Sequence, residues 1–251
     1  MSRSSLIVLA LFSLAIGLNN PPAAYSQELG GVKGTFLLKG PIPQLPPKVK
    51  KGANVAGPPV PGLPIPDESI IVDPENKGLA NVFVWIDDFD AEDIPKKLAK
   101  PKKKTVQVTT KNSRFAPHAI VARTGQTLVF RNLDPVDHNP HVNAIRGESL
   151  DFLLKANKGV VKHTLNEDDL LPVPVTDDNY PWMRANLLVL DHPYATISDT
   201  KGTFKIADIP PGEYDFKFWH EEEGYLRLIG INNIKIEAGK VTDLGTFLVD
   251  L

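Results

Sequence analysis

"FAPHAIVARTGQTLVFRNLDPVDHN", residues 115–139, is the stretch on which the fold turns. Two short apolar runs, HAIVAR (118–123) and QTLVFRN (126–132), flank Thr124-Gly125, a dipeptide suited to a tight turn. Their length and their content of Val, Ile and Phe suit strands rather than helical turns. Beyond Asn132 the chain passes two aspartates and a proline to a His-Asn pair, His138-Asn139. Two strands therefore lead into a histidine, and the question is what that histidine serves.

Working outward, the pattern stays β. KTVQVTT (104–110) precedes the stretch and ANLLVLD (185–191) follows it. GTFKIADI (202–209), GEYDFKFWH (212–220), NIKIEAG (233–239) and GTFLVDL (245–251) then succeed one another between glycine, proline and aspartate turns. In GEYDFKFWH, Tyr214, Phe216 and Phe218 alternate with Glu213, Asp215 and Lys217, the period of a half-buried antiparallel strand. On the N-terminal side, GGVKGTFLLKG (30–40) reads as a first strand. NVFVWID (81–87) is apolar on both faces, which predicts a central strand. Short strands at regular spacing predict an all-β sandwich architecture.

The intervening segments are of other kinds. Residues 41–66 hold nine prolines and read as an extended loop. KKLAKPKKK (96–104) carries six lysines in nine residues and reads as a solvated crossing between strands. Residues 147–171 show weak periodicity and mixed charge, and are expected to form a long loop with a short helix. At the start, a basic MSRS, the apolar run LIVLALFSLAIGL (6–18) and small residues at Ala24 and Ser26 predict a signal peptide over 1–26. That run is too short for a membrane anchor, so the expectation is a secreted or periplasmic protein.

Composition narrows the function classes. A net charge of −2 argues against nucleic acid as a partner. With no cysteine, the chain has no disulfide, no thiolate metal site and no thiol nucleophile. No glycine-flanked serine elbow or phosphate-cradling loop occurs, and Ser198 and Ser149 stand in ordinary turn contexts. The expectation is a protein that is not an enzyme.

Two resemblances sharpen this picture. SDTKGTFKIADIPPGEYDFKFWH (198–220) resembles the transthyretin-like, carboxypeptidase-regulatory-like module through Asp199, Gly202, Phe204, Pro211, Gly212 and Tyr214. The segments at 30–40 and 79–87 resemble its first strands. Residues 104–192 resemble a cupredoxin. The order of PHAIVARTGQTLVFRN, DHN, PWM, DHPYATISD and FWHEEEGYL is similar to that of secreted bacterial proteins described as methylamine utilization or cupredoxin-domain proteins. The resemblance implies a cupredoxin-like Greek-key sandwich inserted in or packed on a transthyretin-like sandwich. The expected domains are a signal peptide (1–26), first transthyretin-like strands (27–92, with the Pro-rich loop at 41–66), a cupredoxin-like domain (104–192) and remaining transthyretin-like strands (193–251).

The same resemblance implies a copper site. Blue-copper centres use two imidazoles, one thiolate and a weak axial thioether. Laid on this sequence, the pattern places His138 as the upstream histidine, Asp177 at the cysteine position, Tyr180 at the second histidine and Met183 as the thioether. Two ligands are retained and two replaced, and an electron-transfer centre is excluded for want of a thiolate. His138, Asp177, Tyr180 and Met183 are thus expected to form a remnant metal site that binds weakly or not at all, with copper or zinc as the candidate ion. His141 and His118 are the further imidazoles within reach of such a site. His220 with Glu221 or Glu222 is a second candidate cation pair, weighed against a structural pairing of His220 that orients its loop. The functional expectation is an exported, non-catalytic binding or structural module whose partner is an unknown envelope protein or glycan. The alternatives are a copper-binding electron carrier and a carbohydrate-binding accessory that uses Trp85, Trp182, Trp219 and Tyr225.

Overall fold

A computed structural model describes residues 28–51, 64–228 and 231–251. The leader expected over 1–26 and the central part of the Pro-rich loop lie outside the described residues. No helix among the described residues is long and apolar enough to cross a membrane.

The chain opens with β1 (Gly30–Leu38) and β2 (Phe83–Ile86). It then builds β3 (Thr105–Thr110), β4 (Phe115–Ala116), β5 (Ala119–Arg123), β6 (Thr127–Asn132), β7 (Pro140–Val142) and β8 (Leu150–Asp151). There follow β9 (Val160–Thr164), β10 (Val173–Asp177) and β11 (Arg184–Leu190). The chain returns through β12 (Ala195–Ile197), β13 (Thr203–Ile209), β14 (Gly212–Tyr214) and β15 (Phe216–His220). It ends with β16 (Gly224–Tyr225), β17 (Ile234–Ile236) and β18 (Val241–Val249).

One core is closed by the first and last strands. A sheet of order β13-β1-β18 faces one of order β12-β2-β15-β16, with the β14-β17 pair beside them. Phe36 is fully buried between them, stacked on Phe204 at 4.9 Å and Phe247 at 5.5 Å and meeting Phe218 edge-on. The turn into β13 is set by Asp199, whose carboxylate accepts from the amides of Lys201 and Thr203 and from the Thr203 hydroxyl. Gly202 stands there at φ +79°, and a Cβ on it would strike the Phe36 carbonyl. Only glycine suits that position.

Residues 105–190 build the second core from a sheet of order β4-β3-β6-β9 and another of order β5-β11-β10-β7-β8. The β3–β6 and β5–β11 pairs are parallel and the rest antiparallel. Val108, Leu128, Phe130, Val175 and Leu187 fill the space between them. This all-β arrangement is consistent with a cupredoxin-like Greek-key sandwich.

A third apolar cluster joins the two. Phe83, Trp85 and Trp219 from the first body meet Ala119, Leu188 and Leu190 from the second. That is why β2 is apolar on both faces: Val84 and Ile86 enter one core while Phe83 and Trp85 enter the seam. β11 divides its side chains the same way, with Leu187 in its own core and Leu188 in the seam.

The segment 147–171 departs from the expected loop with a helix. It supplies β8 and β9 and no helix. β9 pairs only with β6, so only Val161 and His163 are half-buried while Val160, Lys162 and Thr164 face solvent. One-sided pairing at a sheet edge leaves a weak apolar pattern. The lysine-rich run is exposed around a single 3-10 turn, Lys96–Leu98.

Candidate metal centre

His138 lies on the connection from β6 to β7, with no exposure to solvent. Its backbone is held by a two-way bridge to Leu154, at 3.0 and 2.8 Å. Its side chain is held between two carboxylates: Nδ1 lies 3.1 Å from Asp177 and Nε2 lies 3.0 Å from Asp134. Each carboxylate is itself engaged. Asp177 accepts from the amides of Asn139, Asn179 and Tyr180, and Asp134 accepts from those of Asn112 and Ser113. Asn132 completes the shell, accepting from Thr110 and the Asp134 amide and donating to the carbonyls of Val136 and Leu154.

Ionised carboxylates only accept, so both ring nitrogens of His138 must donate, and the ring is an imidazolium. Burial pulls the His138 pKa down, but the hydrogen bonds and charges of Asp134 and Asp177 outweigh it and hold it above the ordinary value. For Asp134, burial pulls upward, and His138 together with the Ser113 and Asn112 amides hold it below the usual carboxylate range.

Two of the other nominated residues are close by. Tyr180 is buried, its ring edge-on to His138 at 5.0 Å, and burial and then the Asp177 charge push its phenol upward. Met183 follows one turn later, its amide donating to the Tyr180 carbonyl at 2.8 Å, with its side chain in the core. His138, Asp177 and Tyr180 thus share one site, with Met183 on the adjoining turn. Asp134 was missed by sequence reasoning. It stands four residues before His138, in a stretch where the cupredoxin pattern assigns no ligand.

The surface just outside holds a looser group. His141, Asp151 and Asp178 bring one ligand atom each to within 4.8 Å of one another, the one such grouping among the described residues. Asn139 bridges the two carboxylates at 2.8 and 3.3 Å, and Asp178 lies 3.7 Å from His141. All three ligands are half-exposed or exposed, so the cluster has the means to coordinate a metal only weakly. Asp151 was not nominated because it comes from β8, in the segment expected to be loop. Without a cysteine the chain lacks the thiolate of a type 1 copper centre, and this is the one His/Asp/Glu cluster among the described residues.

The expected pairing of His220 with a neighbouring carboxylate is not what forms. Glu221 reaches across the seam to Nε2 of His118 instead, and its second oxygen accepts from Asn186 at 3.3 Å. His220 is fully buried. Its Nδ1 accepts from the Glu222 amide at 3.4 Å, and its Nε2 has no partner among the described residues. Burial above all, against the pull of Glu221 and Glu222, lowers its pKa to about 4, so the ring is neutral. Ser198 is structural, accepting from the Val82 amide and donating to the Leu79 carbonyl. Trp85 and Trp219 are taken up by the seam, and Trp182 is half-buried, donating to the Ser113 carbonyl. Of the aromatic residues nominated for stacking on sugar, Tyr225 alone is exposed.

No protein-family model matches this chain, and no curated protein does. Solved structures do. A copper-containing nitrite reductase from Thermus scotoductus SA-01 is 18% identical with a TM-score of 0.31, covering 34% of this chain and 22% of its own. This chain therefore spans about a fifth of that reductase. A reduced mutant of amicyanin is 19% identical with a TM-score of 0.30, covering 42% of this chain and 97% of its own. An oxidised amicyanin mutant is 16% identical with a TM-score of 0.29, covering 37% and 88%.

Proposed function

We propose that this chain is an exported, non-catalytic β-sandwich protein, a binding or structural module that works outside the cytoplasm. In this reading residues 104–192 are a cupredoxin-like domain with a degenerate type 1 site, inserted in a transthyretin-like sandwich built from 27–92 and 193–251. The separate apolar clusters on either side of the seam support that division. The leader-like run at 6–18 supports export. The partner is an envelope protein or a glycan, and electron transfer is not its task.

One observation carries this reading. Both ring nitrogens of His138 are taken by carboxylates that are tied in turn to backbone amides, so the site holds a proton where a relative would hold copper. The remaining members of the remnant, Asp177, Tyr180 and Met183, then serve packing and hydrogen bonding. Nitrogen-15 NMR of the histidine rings at neutral pH tests it. The expected result is that His138 is protonated on both nitrogens and unchanged by one equivalent of Cu(II) or Zn(II). A ring that loses a proton on addition of either ion, or an intense visible copper absorption, would refute the reading.

A further inference from the structure

The lysine-rich run borders a cavity that shares no residue with the His138 clamp. About 310 Å³ in volume, it opens where the run meets the end of β5, the link between β11 and β12, and the end of β13. β5 belongs to the second body and β12 and β13 to the first, so the cavity sits at the rim of the seam. That volume is at the lower end of the range for small organic ligands. Leu98, Pro101, Val121, Pro193 and Ala195 make its walls mainly apolar.

One residue of the lining carries an uncompensated charge. Arg123 donates from Nε to the Asp191 carbonyl at 3.0 Å and from Nη1 to the Leu98 carbonyl at 2.6 Å. Both acceptors are neutral. Burial pulls the Arg123 pKa below its ordinary value, and the charge of Asp191 only partly offsets this. The remaining nitrogen, Nη2, has no acceptor among the described residues and is not sealed from solvent. Tied down through its other two nitrogens, the guanidinium is fixed in place with one donor free beside the Leu98 wall.

Charge and polarity select the ligand. Lys100 and Lys102 stand exposed at the rim, and the one acid of the lining, Asp208, is paired with Lys97 at 3.2 Å. His192 adds no charge near neutrality, its pKa lowered to about 4 by burial and then by Arg123. The lining is therefore cationic, which draws an anion and turns a cation away. A single fixed donor suits one carboxylate, whereas a phosphate has more oxygens and more charge to satisfy against mainly hydrocarbon walls. The body behind the carboxylate has to be apolar, since the hydroxyls of a sugar would lose water there without gaining partners.

We propose that this cavity binds a small organic acid, its carboxylate on Arg123 and its hydrocarbon body against Val121, Pro193 and Ala195. Lys100 and Lys102 draw the anion to the mouth. Val121 comes from one body and Ala195 from the other, so a bound acid also braces the seam. Binding makes and breaks no covalent bond, and it does not depend on how the His138 clamp is read.

The test is a titration of the full chain with hexanoate, followed by NMR. One equivalent bound per chain is expected, with nuclear Overhauser contacts from the ligand's methylene chain to the methyls of Val121 and Ala195. Hexanol, which keeps the body and drops the charge, and acetate, which keeps the charge and drops the body, should each bind about tenfold more weakly or worse. Arg123→Gln should weaken hexanoate by about tenfold or more. Lys100→Gln combined with Lys102→Gln should cause a smaller loss that disappears at high salt. Should Arg123→Gln loosen the seam, the contacts in the wild type and the comparison with hexanol decide. Absence of saturable binding, hexanol matching hexanoate, contacts elsewhere on the surface, or displacement of hexanoate by a lower concentration of inorganic phosphate or galacturonate would overturn the proposal.

Discussion

His138 and His220 are both fully buried, yet they carry opposite charge states. His138 has a carboxylate on each ring nitrogen and is an imidazolium. His220 has one weak amide contact and a bare Nε2, and stays neutral with its pKa lowered to about 4. Equal burial, different partners: desolvation sets the penalty for charge, and the hydrogen-bonding shell decides whether it is overcome. A buried histidine therefore keeps its charge where acceptors meet both ring nitrogens. The amides of Asn112, Ser113, Asn179 and Tyr180 hold those acceptors in place.

The sharpest way to break this comparison is to remove the imidazolium. His138→Leu leaves two buried carboxylates facing each other without a countercharge, and a loss of roughly 3–5 kcal/mol is expected by urea denaturation. A loss below about 1 kcal/mol would mean that the carboxylates are wetted or protonated and that the clamp is not ionic. Replacing the aspartates as well would not restore stability, because their amide partners in two loops would then be unsatisfied.

The seam offers the next test. Leu187 and Leu188 are adjacent on β11 and equally buried, one in the second core and one in the seam. Leu187→Ala and Leu188→Ala should each cost about 2–5 kcal/mol if the seam is packed as tightly as the core. A cheap Leu188→Ala beside a costly Leu187→Ala would show that the two bodies separate readily.

Much of this architecture was legible in the sequence, for identifiable reasons. Strands such as β13 declare themselves because one face is buried and side chains alternate. β9 did not, since an edge strand need bury only part of one face. The doubly apolar NVFVWID was rightly central, but its second face served a contact with β11, roughly a hundred residues away, which no local pattern encodes. Likewise Asp177, Tyr180 and Met183 were named by laying the ligand pattern of the resemblance on the sequence, and that pattern has no place for Asp134. The His118–Glu221 pair spans 103 positions and arises only when the two bodies meet.

The opposite charge states also predict opposite pH dependence. His138, with its folded pKa raised, contributes stability that is complete below the ordinary 6.5 and is lost as pH rises through its raised value. Asp134, with its pKa depressed, contributes above the ordinary 3.8 and loses that contribution as pH falls through its lowered value. His220 runs the other way. Unfolded, it takes up a proton below 6.5, while folded it resists until about 4, so it costs stability as pH falls across that interval. The expected cost is at most about 3 kcal/mol. His192, also lowered to about 4 by burial and then by Arg123, adds a second term of the same sign. Stability measured from pH 7 to 4 should therefore decline, and His220→Phe should flatten that decline by about half. An unchanged slope would place the acid sensitivity elsewhere.

The smallest effect belongs to the surface group, and it separates folding from binding. His141, Asp151 and Asp178 sit beside the clamp but remain largely in water, so none needs a partner in order to fold. His141→Ala should change stability by no more than about 0.5 kcal/mol. Any Cu(II) or Zn(II) affinity that resides in this cluster should fall with it, because two exposed carboxylates without the imidazole hold such ions poorly. Calorimetric titration with Zn(II) at neutral pH measures this directly. Weak binding in the wild type that survives His141→Ala but disappears in His138→Gln would return the metal to the buried position, and the clamp would then open to admit it.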